Sequence, residues 1–219
     1  MELGFGAAYM PWVTDEAQLW LGYEFFQSLY FDLSEFDLQD HRANATFTWN
    51  SGPVQLGILG QYDFYLRGPD RFLQESVIEP WIAVFEEGLG RTELFLRERW
   101  RGFDERPFRG LRDAFNHSPG IRQFINLPGT TGYVFAGYRF DREDTINQRG
   151  DAFSYNGNEA EGGVGWTLPA GIATELSYAY RHESYDEPSD GRDDDDHRRH
   201  LLGPKAAHRP FRRTLLVPR

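Results

Sequence analysis

Period-two alternation of apolar and polar residues, sustained over long stretches, governs this chain. Val54 to Arg67 shows it best. Val54, Leu56, Ile58, Gly60, Tyr62, Phe64 and Leu66 share one parity, and Gln55, Gly57, Leu59, Gln61, Asp63, Tyr65 and Arg67 share the other. A strand turns successive side chains to opposite faces, so this segment carries one greasy and one mostly polar face. A helix would need apolar residues every three or four positions, and that period is hard to find here. The same alternation recurs from Ala17 to Phe25, Ala43 to Trp49, Ala160 to Leu168 and Ile172 to Tyr180.

Short turn signals separate these runs. They lie at Val13-Thr14-Asp15, Ser51-Gly52-Pro53, Gly88-Leu89-Gly90, Pro128-Gly129-Thr130 and Pro169-Ala170-Gly171. Their spacing of roughly 40 residues marks a repeat of hairpins. Longer polar stretches alternate with them, at Asp32 to Asp40, Gly68 to Arg71, Gly102 to Ala114, Arg142 to Asp151 and Asp186 to Asp196. The strands left over run to about 12–15 residues, against about 5–6 in soluble sheets and about 9–11 for an oblique bilayer crossing. Long strands with short turns at one end and long loops at the other suit an outer-membrane barrel.

The expected fold is therefore all-β: an antiparallel meander transmembrane β-barrel, with ten strands from Glu2 to Tyr185 and an eleventh beginning near Asp196. Bacterial barrels have even strand numbers and lipid tolerates no unpaired edge, so ten strands could close and leave the eleventh without a place; the alternative is an incomplete barrel. Pro80, Glu98 and the poorly alternating stretch Phe115 to Leu127 fit the pattern badly, and a bulge could repair each.

Composition narrows the alternatives. The 219 residues hold 23 Lys+Arg against 34 Asp+Glu, a net charge of −11, which argues against a nucleic-acid partner. Cysteine is absent, removing disulfides, thiolate metal sites and thiol nucleophiles. No apolar run is long enough for a transmembrane helix, although a strand that meets lipid with alternate side chains keeps a low mean hydropathy. Aromatic residues reach 16%. Trp12, Trp49 and Trp166 fall beside tight turns, while Tyr62, Phe64, Trp100, Tyr138, Phe140, Tyr178 and Tyr180 fall toward the long loops. Two aromatic bands at strand ends match a pair of lipid–water boundaries. The competing reading is an aromatic core inside a soluble β-domain.

The chain ends are unusual. Met1 to Gly6 lacks a basic leader and already alternates, so the sequence reads as a processed chain or a piece of a longer one. Alternation stops at Leu202. The stretch Gly203 to Arg219 has five Lys/Arg, no acid, three prolines and the only lysine, Lys205. We expect residues 1–202 to form a partial barrel and 203–219 a basic, proline-rich tail that is disordered or non-native.

The polar parity carries both charge signs. Gln61, Asp63, Glu79, Arg97, Arg99, Arg139, Glu161, Glu175, Arg181 and Glu183 are candidate lumen-lining residues, joined by Glu75, Glu93, Arg101, Asp141 and Glu159. Such ladders line a water-filled passage or clamp a plug through cross-strand ion pairs; they could equally just solvate the lumen and fix register. The run Asp190 to Asp196 lacks the spaced ligands of a calcium loop and reads as a hydrated acidic loop. His117-Ser118 and His182 with Ser184 have no supporting catalytic signature. No catalytic residue, cofactor or metal is expected.

Several stretches resemble a known family. Phe31-Asp32-Leu33-Ser34-Glu35-Phe36-Asp37, followed by Ala43 to Trp49, is one. Asp113-Ala114-Phe115-Asn116-His117 with Gly120 to Phe124 is another. Tyr138 to Asp144 with Phe153 to Gly157, and Tyr178 to Tyr185 with Asp196-His197-Arg198, complete the set. Together they resemble the C-terminal outer-membrane barrel of tetratricopeptide-repeat-linked proteins, similar to the surface lipoprotein assembly modifiers, over roughly residues 15–200. The repeat domain and a C-terminal strand with a final aromatic are not seen, so the resemblance implies a partial chain. It also implies a non-enzymatic export channel in the bacterial outer membrane. Its partners would be outer-membrane lipid and a lipoprotein or polysaccharide cargo. The alternatives are a structural or adhesive surface barrel without transport, and a soluble ligand-binding β-barrel.

Overall fold

Alternation this regular yields one long antiparallel meander. The computed structural model describes residues 2–29, 37–104, 110–167, 173–186 and 197–205. Within them the strands are β1 (Glu2–Val13), β2 (Ala17–Ser28), β3 (Leu38–Ser51), β4 (Val54–Arg67), β5 (Asp70–Glu86), β6 (Gly90–Phe103), β7 (Ala114–Asn126), β8 (Tyr133–Thr145), β9 (Tyr155–Thr167), β10 (Ala173–Tyr185) and β11 (His197–Lys205). They form a single eleven-stranded sheet in sequence order. A short 3-10 helix, Gln148–Phe153, precedes β9. Among the described residues no α-helix occurs and no pairing joins β1 to β11, so the sheet is not closed.

Register keeps the two parities apart across the sheet. One continuous row runs Phe47, Ile58, Pro80 on facing positions, and another runs Trp49, Leu56, Ile82, Leu94, Ile121, Tyr138. A one-residue slip anywhere would move a strand's whole apolar set to the other face. Shifts occur at two places only among the described pairs. One extra residue in β1 between Tyr9 and Trp12 absorbs Pro11 at the sheet edge, and a second shift lies at Tyr65/Leu66.

The two faces differ in exposure. Ile58 is 45% exposed and Ile78 55%, whereas Asp63 is 0% and Glu79 3% exposed. No second sheet covers the charged face among the described residues, so its burial comes from curvature: the sheet curls around its polar side. Reach confirms the direction. Strands two apart lie about 9–10 Å from one another, yet Arg101 on β6 meets Glu143 on β8 at 3.1 Å and Tyr133 on β8 meets Glu175 on β10 at 2.6 Å.

Glycines opposite aromatic rings tighten this curve. Gly57 faces Trp81, Gly120 faces Phe95, Gly163 faces Phe135 and Gly165 faces Tyr133, each pair on the inner side of neighbouring strands. A Cβ at Gly57, Gly120 or Gly165 would stand only 2.0–2.3 Å from the partner ring, and one at Gly163 would meet the Leu176 carbonyl oxygen at 2.4 Å and Phe135 at 2.6 Å. The ring therefore occupies space that a side chain at the glycine would need.

Several expected boundaries shift. Gly68 to Arg71 is no long loop: β4 and β5 run up to a two-residue turn, where Gly68 takes φ 56°. β3 already begins at Leu38 and β8 continues to Thr145, so Asp40 and Glu143 belong to strands. Pro80 and the β7 segment need no bulge, because the register passes through both unshifted. β7 alternates poorly because His117 and Gln123 face outward and Phe124 faces inward, not because its pairing is irregular. β11 extends to Lys205, past the expected boundary at Leu202. The turn Pro169-Ala170-Gly171, the acidic run Asp190 to Asp196, most of Phe31 to Asp37 and the tail from 206 onward lie outside the described residues.

Candidate functional site: the charged inner face

All ten candidate lumen residues fall on the inner face. The register places Asp63 opposite Arg42 and Glu75, and Arg139 opposite Glu159, which in turn faces Arg181. They gather into clusters set at different heights along the strands.

Nearest the short turns, Arg122 bridges two carboxylates. Its guanidinium lies 3.3 Å from Glu93 and 2.5 Å from Glu161. Glu161 sits on β9, with β8 in between. The crossing is open because Gly137 occupies the intervening position of that row; a Cβ there would stand 2.9 Å from the Glu161 carboxylate and 3.0 Å from Arg122 Cγ. Tyr133 donates to Glu175 at the same end.

At mid-height, Arg97 Nε lies 2.7 Å from Glu79. Ser118 Oγ donates to Asp141, which also meets Arg181 at 3.1 Å. Arg139 contacts Glu159 at 2.9 Å, and Arg181 contacts Glu183 at 2.7 Å. Ser118 points inward while His117 points outward, so these neighbours cannot act as a catalytic pair.

Toward the long loops the charges divide into two groups. On the β3–β4 side, Arg42 reaches Asp63 at 2.5 Å and Glu24 at 3.4 Å, and Gln61 donates to the other Asp63 oxygen at 2.6 Å. On the β6–β10 side, Glu143 accepts from Arg99 at 3.2 Å and Arg101 at 3.1 Å, while Glu75 lies 3.3 Å from Arg101. Buried carboxylates held by forked guanidinium donors are the stable way to keep charge out of bulk water.

Sequence reasoning missed Arg42, Arg122 and Glu143. Glu143 stands at a strand end that reads as loop, Arg122 lies in the stretch whose alternation looks weak, and Arg42 shares the polar parity of Asn44, Thr46 and Thr48 without standing out from it. Strict parity counting from the strand centres would have found all three.

The outer face carries the aromatic bands. Trp12, Trp49 and Trp166 are exposed at the short-turn end and Tyr62 and Trp100 toward the long loops, whereas Tyr138 and Tyr178, expected toward the long loops, are exposed near the middle of β8 and β10. Phe64, Phe140 and Tyr180 are half-buried. Glu98 is the misfit on this face, and His117 answers it from the directly facing position, Nδ1 to Oε2 2.6 Å.

No protein-family model, no curated protein and no solved structure matches this chain.

Proposed function

We propose that this chain is the wall of a bacterial outer-membrane barrel whose charged face lines a passage. The observation that supports the reading is the inverted distribution of side chains in a single curved sheet. Apolar residues stand exposed on the convex side from β1 to β10, and ion-paired carboxylates are buried on the concave side. Water-soluble monomers rarely expose an apolar patch of more than a few hundred Å². Hydrocarbon would cover this one, with the Trp and Tyr bands at its borders. In a bilayer, the free edges of β1 and β11 would also need partners.

Within this reading the protein performs no chemistry. Its task would be export of a lipoprotein or another polymer along the polar track, as the resemblance to repeat-linked barrels suggests. One observation favours the structural or adhesive alternative: the inner charges are largely neutralised by one another, as in a wall built for rigidity.

The test is refolding of the full chain in detergent and lipid vesicles. A heat-dependent shift in gel mobility, together with vesicle leakage to small charged dyes, is the expected result. A shift without leakage would favour the structural barrel. A sharp, detergent-free soluble monomer would overturn the membrane reading itself.

A further inference from the structure

The two edges of the sheet run the same way. β1 passes from the long-loop end at Glu2, opposite Ser28, to the short-turn end at Val13. β11 starts opposite Glu183 and finishes opposite Glu175, so it too descends toward the short turns. A strand antiparallel to either edge must therefore ascend, from the short turns to the long loops. A second copy standing the same way up in a membrane offers only descending edges, and inverting it would send its long loops to the opposite side. Among the described residues β1 pairs with β2 alone. Its other edge is a row of backbone donors and acceptors, which is a template for an added strand.

The side chains along that edge say what would fit. Leu3, Phe5 and Tyr9 turn outward and are each more than half exposed. Gly4, Gly6 and Ala8 turn inward, with Gly6 in one row with Glu24, Arg42 and Asp63. Gly57 and Gly120 lie against rings of neighbouring strands, but a Cβ would meet nothing closer than 3.5 Å at Gly4 and 3.4 Å at Gly6. These two glycines floor a cavity of about 570 Å³, walled by Phe26, Glu24, Asp40 and Arg42.

The cavity holds more acid than base. Arg42 answers three carboxylates, Asp63 at 2.5 Å, Glu24 at 3.4 Å and Asp40 at 3.6 Å. Among the described residues none of the three has an ion pair with a second cation. Asp40 Oδ1 is buried without a hydrogen bond. Asp63 takes the closest guanidinium contact and a further donor from Gln61, so Glu24 and Asp40 share what is left of one positive charge.

We propose that the open edge of β1 takes up an ascending strand from a partner polypeptide, which places a basic side chain and an aromatic ring in the cavity over Gly4 and Gly6 and turns apolar side chains outward beside Leu3, Phe5 and Tyr9. The base offsets the surplus carboxylates, and the ring rests on the glycine floor against Phe26. This names a partner for the barrel wall proposed above and rests on that reading, because the membrane is what excludes an inverted copy.

The experiment titrates the full chain, refolded in detergent micelles, with fluorophore-labelled synthetic peptides of twelve residues, the length of β1. The chain has no cysteine of its own, so Val13→Cys carries a single nitroxide quencher at the short-turn end. The probe peptide alternates leucine with an inward set that includes one arginine and one phenylalanine. One control replaces that arginine by glutamate, and another is N-methylated along the edge that would meet β1. The probe should bind about tenfold tighter than either control, the worth of one charge-assisted contact. A fluorophore at its N-terminus should be quenched and one at its C-terminus should not, as an ascending strand requires. Glu24→Gln with Asp40→Asn should abolish the preference for arginine over glutamate; if that pair does not refold, Glu24→Gln alone should reduce it. Gly6→Leu should weaken the probe about tenfold by filling the floor. No binding, equal binding of the N-methylated peptide, quenching from the C-terminus, or an unchanged affinity in folded Gly6→Leu would overturn the proposal. So would a dimer, seen by mass, that shuts the probe out, because a second copy would then hold the edge. Gel mobility and vesicle leakage report on the membrane reading separately, and a chain that folds without detergent is titrated in buffer, so each idea can fail alone.

Discussion

Arg97 Nε lies 2.7 Å from Glu79 Oε2 where backbone pairing between β5 and β6 lapses. The ladder is intact at Ile78↔Glu98 and at Trp81↔Phe95, and the unpaired gap holds Pro80, which has no N–H to give. Arg97 and Glu79 are the residues that would face one another across that gap. The pattern repeats two strands further on. Pairing of β7 with β8 lapses beside Pro119, and Ser118 and Asp141 are the facing residues joined there by a side-chain hydrogen bond. Leu96 lies opposite Pro119. At both prolines, a polar side-chain pair on the inner face joins the strands where the backbone ladder stops.

Removing one member of that pair should be costly. Glu79 is 3% exposed, so Arg97→Ala leaves a buried carboxylate without its partner. Because Arg97 is itself partly exposed, the loss should be about 2 kcal/mol, less than for a fully buried pair. The double variant Glu79→Ala with Arg97→Ala should be less destabilised than the sum of the singles. Urea titration of detergent-refolded protein measures both, and strict additivity would contradict the coupling.

The ring-on-glycine contacts predict a rescue. Gly120→Leu drives a side chain into Phe95 and should destabilise by roughly 1–3 kcal/mol. Adding Phe95→Ala should recover part of that loss, since the space is then vacant. Thermal melts of the three variants decide it; a double variant worse than Gly120→Leu alone would refute the packing account.

Charge placed on the convex face separates lipid from water. Ile58 is 45% exposed, and in a soluble protein Ile58→Arg would be nearly neutral. Against hydrocarbon the same change should cost about 2–4 kcal/mol near the membrane mid-plane. Refolding yield into vesicles should therefore fall while solubility in water does not. An unchanged yield would count against the membrane reading.

His117 should matter through Glu98. His117→Leu leaves a carboxylate on the outer face without its facing partner and should reduce vesicle insertion. Pairing it with Glu98→Leu should restore insertion to at least the level of the parent. Failure of the second change to help would show that the contact is incidental.

Much of the fold could be read in advance. Alternation in β4 fixed which of Ile58 and Asp63 would share a face with their neighbours, because side-chain direction along a strand depends only on parity. The ten candidate lumen residues fell on one side for the same reason. Strand ends were harder. Asp40 and Glu143 read as loop because polar residues at a strand end look the same as those in a turn, and the Gly68 turn looked longer than it is.

Local chemistry thus settled the strands, their approximate number and the segregation of charge from grease. Tertiary structure decided everything that depends on distance between strands. That Arg122 crosses β8 to Glu161 needs the bare backbone of Gly137 beneath it, and that Arg99, Arg101, Arg112 and Arg181 share one cavity needs the sheet to curl. Parity is a property of one strand, whereas curvature and register arise only when many strands are hydrogen-bonded side by side.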